Sequence, residues 1–464
     1  MTNSPTPSNP GDSASSAPQR PGVRFDPSKP HLNRPKVRPL RGMPVQGQLP
    51  NGQTVPMLGL MDARQVSDKM LVLAPAAQHI LALLDGSNTL SDIVGKVGRG
   101  LTDDVLRDIV MQLDDAAFLE GPNFEALMRQ TREAFDASDA LPPGSTEAFA
   151  DALVEAALGK DATPEQKAEQ GPRRLREMMD QWMAKSLEKV DKPSLDALPK
   201  AIVAPHLDYQ RGWINYAHIY GRLRVCERPA RVVILGTNHF GFGTGVVGCN
   251  KGFTTPLGTS PVDEGLVNEL RATLGDKLFE HRTDHEREHS IELQVPWIQH
   301  VFGQDPLGRF VPVFGALVHD PAANNGRSYD GSGVDFEPFV QALKGAIARQ
   351  PGPTLIVSSA DLSHVGPAFG DQKPLVGDAE DVVNFRNSVH QHDLACLKML
   401  TDLKPNDLVA SIAWQQNPTR WCSVGNLVAT MMVAEPSKVD LLNYGAAMDQ
   451  GGSTMVSSAA MVMM

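Results

Sequence analysis

His206 and His239 are imidazoles set where a chain can put them to work. Each stands just past a short β-branched run that stops at Pro or Gly. Ala201-Ile202-Val203-Ala204-Pro205 leads to His206, and Arg231-Val232-Val233-Ile234-Leu235-Gly236-Thr237-Asn238 leads to His239. Runs of this kind suit strands buried on both faces, and the helical pattern between them makes a βαβ unit. A right-handed crossover is expected to set the two strands side by side, with their carboxyl ends on one edge of the sheet. Open α/β sheets bind ligands at that edge, so the two imidazoles are candidate metal ligands. A lone His after a strand is ordinarily a satisfied loop residue; the pair carries the inference.

Three further clusters hold chemistry. Asp284-His285-Glu286-Arg287-Glu288-His289-Ser290-Ile291-Glu292 precedes an amphipathic pattern of Ile291, Val295, Ile298 and Phe302, with Pro296 expected to kink the helix or delay its start. Ser358-Ser359-Ala360-Asp361-Leu362-Ser363-His364 ends a buried strand, and Trp421-Cys422-Ser423-Val424-Gly425-Asn426 opens a helix. At a helix N-terminus the dipole favours thiolate, the form of cysteine that binds metals. The plainer alternative is that Asp361 and His364 bond loop backbone while Glu288 and Glu292 form a solvated helix face.

The elements that must position these groups read as α/β from Leu198 onward. Strands are expected at 310–314, 354–359, 441–444 and 456–463, and helices at 211–224, 263–274, 334–349, 385–401 and 423–434. With 464 residues the chain is long enough for two domains and linkers. A net charge of −11 argues against a general nucleic-acid binder, although the arm from Arg20 to Arg41 is basic. Four scattered cysteines, with no Cys-x-x-Cys pair, form neither a disulfide framework nor a zinc ribbon. Neither a membrane-length apolar run nor a signal peptide is present, so the expectation is a soluble, cytoplasmic protein.

Residues 1–37 are rich in Ser, Pro, Asn and Gly and are expected to be disordered. Residues 38–121 are expected to form a small domain with Thr89 or Ser91 capping one short helix, Thr102 capping the next, and a short strand at 117–120. Its phrase Leu84-Asp85-Gly86, Thr89-Leu90 and Ile93, then Leu113 through Leu119, resembles the winged-helix-like peptide-chaperone domains of pyrroloquinoline quinone biosynthesis. That resemblance implies a holder of a peptide or partner protein. DNA reading is disfavoured, because the helix at 102–115 carries five aspartates against Arg107. Residues 122–195 read as a charged helical linker with an apolar stripe of Leu175, Met178, Met179, Trp182 and Met183, ahead of an α/β domain at 196–464.

Six motifs in order identify the resemblance of that last domain. They are Ala204-Pro205-His206-Leu207-Asp208-Tyr209; Ile234 to His239; Thr255-Pro256-Leu257-Gly258 with Val262-Asp263; Glu288-His289-Ser290-Ile291-Glu292; Val357-Ser358-Ser359 with Asp361 and His364; and Leu442-Asn443-Tyr444. Together they resemble the Memo-like family, which includes the mediator of ErbB2-driven cell motility and protein B of the AmmeMemoRadiSam system. The resemblance implies a fold similar to class III extradiol dioxygenases and a mononuclear site for Fe(II) or Cu(I), with Zn(II) a poorer match. It implies His206, His239 and Cys422 as metal ligands, and His289, Asp361 and His364 as acid–base or supporting groups. It also implies a radical S-adenosylmethionine protein as partner and a peptide or small molecule as substrate. This chain departs from the family at Leu207-Asp208, Phe240 and Val424-Gly425-Asn426, which touch the pocket lining rather than the ligands. The expected function is a metal-dependent redox enzyme of dioxygenase type. The alternative is a non-catalytic adaptor that binds metal or peptide, and zinc hydrolysis stands third because hydrolytic sites favour harder ligands.

Overall fold

The computed structural model describes residues 25–48, 53–98 and 100–464. The chain divides into two compact units, residues 1–129 and 130–464.

In the first unit, Leu40–Gln48, Thr54–Asp62 and Met70–Leu73 form an antiparallel sheet in that order. Short helices follow at Gln78–Leu81, Leu90–Val97 and Asp103–Asp115. Thr89 and Asp92 form a reciprocal capping box, and Thr102 caps the helix after it, as their sequence positions predict. Leu84, Ile93, Leu106, Val110, Leu113 and Phe118 make the core. Residues 117–120 pair through a single bridge, Val37 to Leu119. Residues 1–24 of the expected disordered tail lie outside the described residues. Residues 25–37 are held: the turn of helix Pro30–Asn33 buries Leu32 in the core, and Val37 makes that bridge.

The second unit is built on one sheet of eight strands: β1 (Ala201–Ala204), β2 (Arg231–Gly236), β3 (Val247–Gly248), β4 (Val313–Leu317), β5 (Thr354–Ser359), β6 (Asp361–Val365), β7 (Val439–Met448) and β8 (Met455–Met463). The order is β6-β8-β1-β5-β2-β4-β3, with β7 on β8. Strands β1, β5, β2 and β4 are parallel, and β8 runs antiparallel against β1. Alternate residues of the central strands enter two cores. Val203, Val233 and Leu235 face the helices Phe336–Arg349 and Val424–Ala434; Ile202, Val232 and Ile234 face Tyr209–Leu223, Val295–Phe302 and Pro164–Leu187. Burial on both faces is why these strands are continuous apolar runs rather than alternating ones.

One expectation is corrected. β1 and β2 do not lie side by side, because β5 inserts between them and pairs in parallel with both. Two inter-strand steps, roughly 9–10 Å, therefore separate the strands that lead to His206 and His239. The histidines still meet, because each sits two or three residues past its strand, where the chain is free to turn inward. The inserted strand contributes its own end, Ser359 to Asp361, to the gap.

Residues 164–187 are also more than a connecting arm. Leu175, Met179 and Met183 are fully buried in the same core as β1 and β2. The preceding helix, Ser145–Leu158, is tied down by Glu292, whose carboxylate accepts from Gly144 N at 2.8 Å, Thr146 N at 2.9 Å and Thr146 Oγ1 at 2.6 Å. This is an N-cap supplied from 146 residues away in sequence. Among the described residues no helix is long and apolar enough to cross a membrane. Glu292→Ala strands those donors in a buried setting and is expected to cost about 2–3 kcal/mol in urea denaturation. An unchanged midpoint would mean the cap is not holding the helix.

Candidate metal centre

The carboxyl edge of the parallel strands gathers His206 from β1, His239 from β2, Asp361 beyond β5 and Cys422 just ahead of the helix Val424–Ala434. His206 is almost wholly buried, and its Nδ1 lies 3.0 Å from the Ser359 carbonyl. A carbonyl only accepts, so Nδ1 carries the proton and Nε2 keeps its lone pair. That Nε2 lies 3.4 Å from Cys422 Sγ. Burial pushes the His206 imidazolium well below its ordinary range, and the neighbouring His239, His289 and His364 push it further, so the ring is neutral.

His239 repeats the device with a carboxylate. Its Nδ1 lies 3.0 and 3.1 Å from the two Glu288 oxygens, and its backbone N–H donates to Glu288 Oε2 at 2.8 Å. Nδ1 is committed, and a ligand atom of the ring lies within 4.8 Å of the Cys422 sulfur. Burial alone would lower the His239 pKa, but Glu288 and Cys422 carry it well above the usual value. Burial would likewise push the Glu288 carboxyl up, yet His239 first and His289 after it bring it down to about 2. The pair is an ion pair in the metal-free protein.

The ligand atoms of His206, His239 and Cys422 lie within 4.8 Å of one another, and the two imidazole rings stand edge to face at 5.1 Å. A second group within the same reach, His239, Glu288 and His289, shares one ring with the first. Its carboxylate is already occupied by His239 Nδ1 and the backbone N–H groups of His239 and Ser290. Glu288 is thus an outer partner that orients His239, as carboxylates commonly do behind metal-bound histidines.

His289 stacks on His239 at 4.9 Å, has Nδ1 3.3 Å from Glu288 Oε1, and keeps 30 % of its side chain exposed. It faces both the cluster and solvent. Burial lowers its pKa, partly offset by Glu288. Asp361 is buried. It accepts from the His206 backbone N–H at 3.0 Å, with Oδ2 3.7 Å from His206 Nε2. Burial raises its carboxyl to about 7, against the opposing pull of the His206 and Leu207 N–H groups. His364 sits further out: its Nδ1 bonds the Leu362 carbonyl at 3.0 Å, its ring packs edge to face on Phe369, and burial lowers its pKa.

Several residues inside the quoted motifs do work that their place in the sequence did not assign to them. Asn426 donates to the Ser359 carbonyl at 2.8 Å and to Thr237 Oγ1 at 2.9 Å, while Thr237 Oγ1 donates to the Cys422 carbonyl at 3.2 Å. Ser290 Oγ closes the turn after β2 by bonding both the N–H and the carbonyl of Thr237. Gly236 is required there, since a Cβ would stand 2.5 Å from Ser290 Oγ. Neither Glu288 nor Glu292 is solvated; both are buried. Pro296 does divide the helical stretch, which runs His289–Glu292 and then Val295–Phe302.

Comparison with known proteins points one way. The sequence profile of the family described as Memo-like protein matches residues 166–462. A MEMO1 family protein of Methanopyrus kandleri is 28% identical over 300 residues, covering 63% of this chain and 93% of its own length. One from Thermotoga maritima is 28% identical over 260 residues, 55% of this chain and 79% of its own. One from Aquifex aeolicus is 25% identical over 309 residues, 65% of this chain and 70% of its own.

The depressed Glu288 carboxyl fixes the sign of one pH effect. Its folded value of about 2 lies below the reference 4.5, so its stabilisation is fully present above pH 4.5 and is lost as pH falls toward 2. Metal-free protein is expected to lose a few kcal/mol across that window, and Glu288→Gln to remove this part of the acid limb. Denaturant titrations of both proteins between pH 3 and 6 check it; parallel curves would mean that the Glu288–His239 pair contributes nothing.

Proposed function

The chain belongs to the Memo-like protein family, and on that premise we propose that His206, His239 and Cys422 hold one Fe(II) or Cu(I) ion in a redox site of class III extradiol dioxygenase type. The observation that carries this reading is the commitment of both Nδ1 atoms to fixed acceptors, which leaves the second nitrogen of each ring near one sulfur, with a free lone pair on His206 and a displaceable proton on His239. Three protein ligands leave a coordination position open, as catalytic sites require. A thiolate in place of the carboxylate of extradiol enzymes softens the set toward Cu(I) and Fe(II), with Zn(II) the poorer fit. The bound ion would supply electron transfer to or from a substrate, or activation of dioxygen.

The chain's own groups serve the proton side. His289, with Nδ1 turned to Glu288, presents its other nitrogen to incoming substrate as a general acid or base. Asp361, with its carboxyl near 7, holds a proton at Oδ2 beside His206 for part of the population at neutral pH. His364 supplies a third, more remote acid–base group. The substrate is a dioxygen-reactive small molecule or a peptide, modified together with a radical S-adenosylmethionine protein in the cytoplasm. The first unit serves as a winged-helix-like holder of that peptide or of a partner protein. The sheet Leu40–Leu73, with Met70 and Val72 exposed on its last strand, supports that role.

Metal analysis after anaerobic purification tests the centre. Wild-type protein is expected to carry close to stoichiometric iron or copper, and Cys422→Ala and His206→Ala to lower affinity by more than about a hundredfold, beyond the effect typical of outer-shell changes. Unchanged metal content in Cys422→Ala would remove the sulfur from the ligand set. An oxygen electrode separates turnover from sequestration: a metal-loaded protein that consumes no oxygen with any catechol, thiol or peptide offered is a binding protein.

A further inference from the structure

We propose that Asp393 is the positioning residue for the Cys422 sulfur, acting through the Trp421 indole. This rests on the reading of Cys422 as a metal ligand. Asp393 lies in the middle of the helix Glu380–Thr401 and is wholly buried. Its four hydrogen-bond partners are neutral. Oδ1 accepts from Ser363 Oγ at 2.5 Å and from Trp421 Nε1 at 2.7 Å; Oδ2 accepts from Tyr444 OH at 2.7 Å and from Ser457 Oγ at 2.5 Å.

A carboxylate buried among neutral groups is an expensive way to fill a core that apolar side chains fill more cheaply. What it adds is direction. A charged acceptor makes shorter, stronger hydrogen bonds than a neutral one, and four donors from four segments fix it on every side. Two of those donors sit one residue from groups of the metal centre. Trp421 precedes Cys422, and Ser363 precedes His364. Trp421 Nε1 also lies 3.2 Å from Ser363 Oγ, so the Trp421 loop and β6 meet at the same Asp393 oxygen.

The loop that delivers Cys422 needs such a hold. Asn417 and Arg420 adopt left-handed backbone, with φ of 48° and 58°, a conformation that non-glycine residues keep only where their surroundings impose it. The Asn417 side chain bonds both the N–H and the carbonyl of Trp421, at 2.7 and 2.9 Å. Arg420 Nε donates to the His364 carbonyl at 2.8 Å, and its guanidinium pairs with Asp371. Asn417 therefore clamps the Trp421 backbone while Asp393 clamps its ring. With both ends of Trp421 fixed, the next residue leaves the loop in one direction, and that direction puts Sγ 3.4 Å from His206 Nε2.

Cobalt substitution and thiol labelling of the full chain separate positioning from mere stability. Co(II) bound to a thiolate gives a sulfur-to-metal charge-transfer band in the near ultraviolet, and Cys422 alkylation by iodoacetamide, followed by peptide mass, reads sulfur exposure without metal. Trp421→Phe keeps an aromatic ring, smaller than the indole, but deletes the N–H to Asp393. It is expected to shift and weaken the band, to loosen Co(II) by about tenfold, the low end for outer-shell changes, and to speed Cys422 alkylation several-fold. Asp393→Asn should do the same or more. If Asp393→Asn does not fold, Trp421→Phe decides alone. A folded Trp421→Phe with wild-type band, affinity and alkylation rate would overturn the proposal. A wild-type protein lacking the band would instead end the reading of Cys422 as ligand, and the alkylation rates would still decide whether Asp393 aims the sulfur.

Discussion

The centre depends on where two protons sit. An imidazole offers a lone pair in a fixed direction only if its other nitrogen is committed. Here the Ser359 carbonyl commits His206 and the Glu288 carboxylate commits His239. The acceptors differ, and so does the electrostatic outcome. A carbonyl leaves His206 neutral in a dry setting, whereas a carboxylate polarises His239 and holds it charged until something displaces the proton. Any cation that took the second nitrogen of His239 would therefore have to displace a proton, a requirement that His206 does not impose.

The parallel sheet makes this arrangement available. Ends of β1, β5 and β2 lie in register at one edge, so a carbonyl, a carboxylate and two imidazoles arrive together without any long loop. The inserted β5 both separates the two histidine strands and fills the space between them with hydrogen-bond acceptors. The helix after Cys422 packs so tightly on the end of β4 that a Cβ on Gly425 would stand 2.2 Å from the His319 carbonyl. The loops that carry the site side chains are thus held against strand ends and a helix, as precise donor geometry demands.

Much of this was legible in the residues. The buried strands β1, β2 and β5 announce themselves as β-branched or small apolar runs ended by Pro, Gly or Ser, and Thr89, Thr102 and Thr163 mark helix starts. Six ordered motifs carried the family, and with it the convergence of His206, His239 and Cys422. Strand order was not legible, because a βαβ run specifies handedness but not whether a later strand will insert. Nor was the duty of Glu288 or Asp393. A Glu before a helix and an Asp inside one resemble solvated residues until tertiary packing removes the water. Leu175 and Met179 looked like the stripe of a separate arm for the same reason: periodicity shows that a face is apolar, not what covers it.

The late arrival of β5 and β8 shapes how the molecule must come into being. β1 emerges early, yet its two neighbours in the sheet begin at residues 354 and 455, so its edges wait for chain made long afterwards. Pairing over such distances carries a large loop-closure cost and is slow. A nascent chain holds His206 and His239 but has neither the Ser359 carbonyl that sets the tautomer of the first nor the sulfur that completes the trio. The trio consequently forms only after residue 422 has been made, and any chain cut short of it carries two of the three side chains without the third.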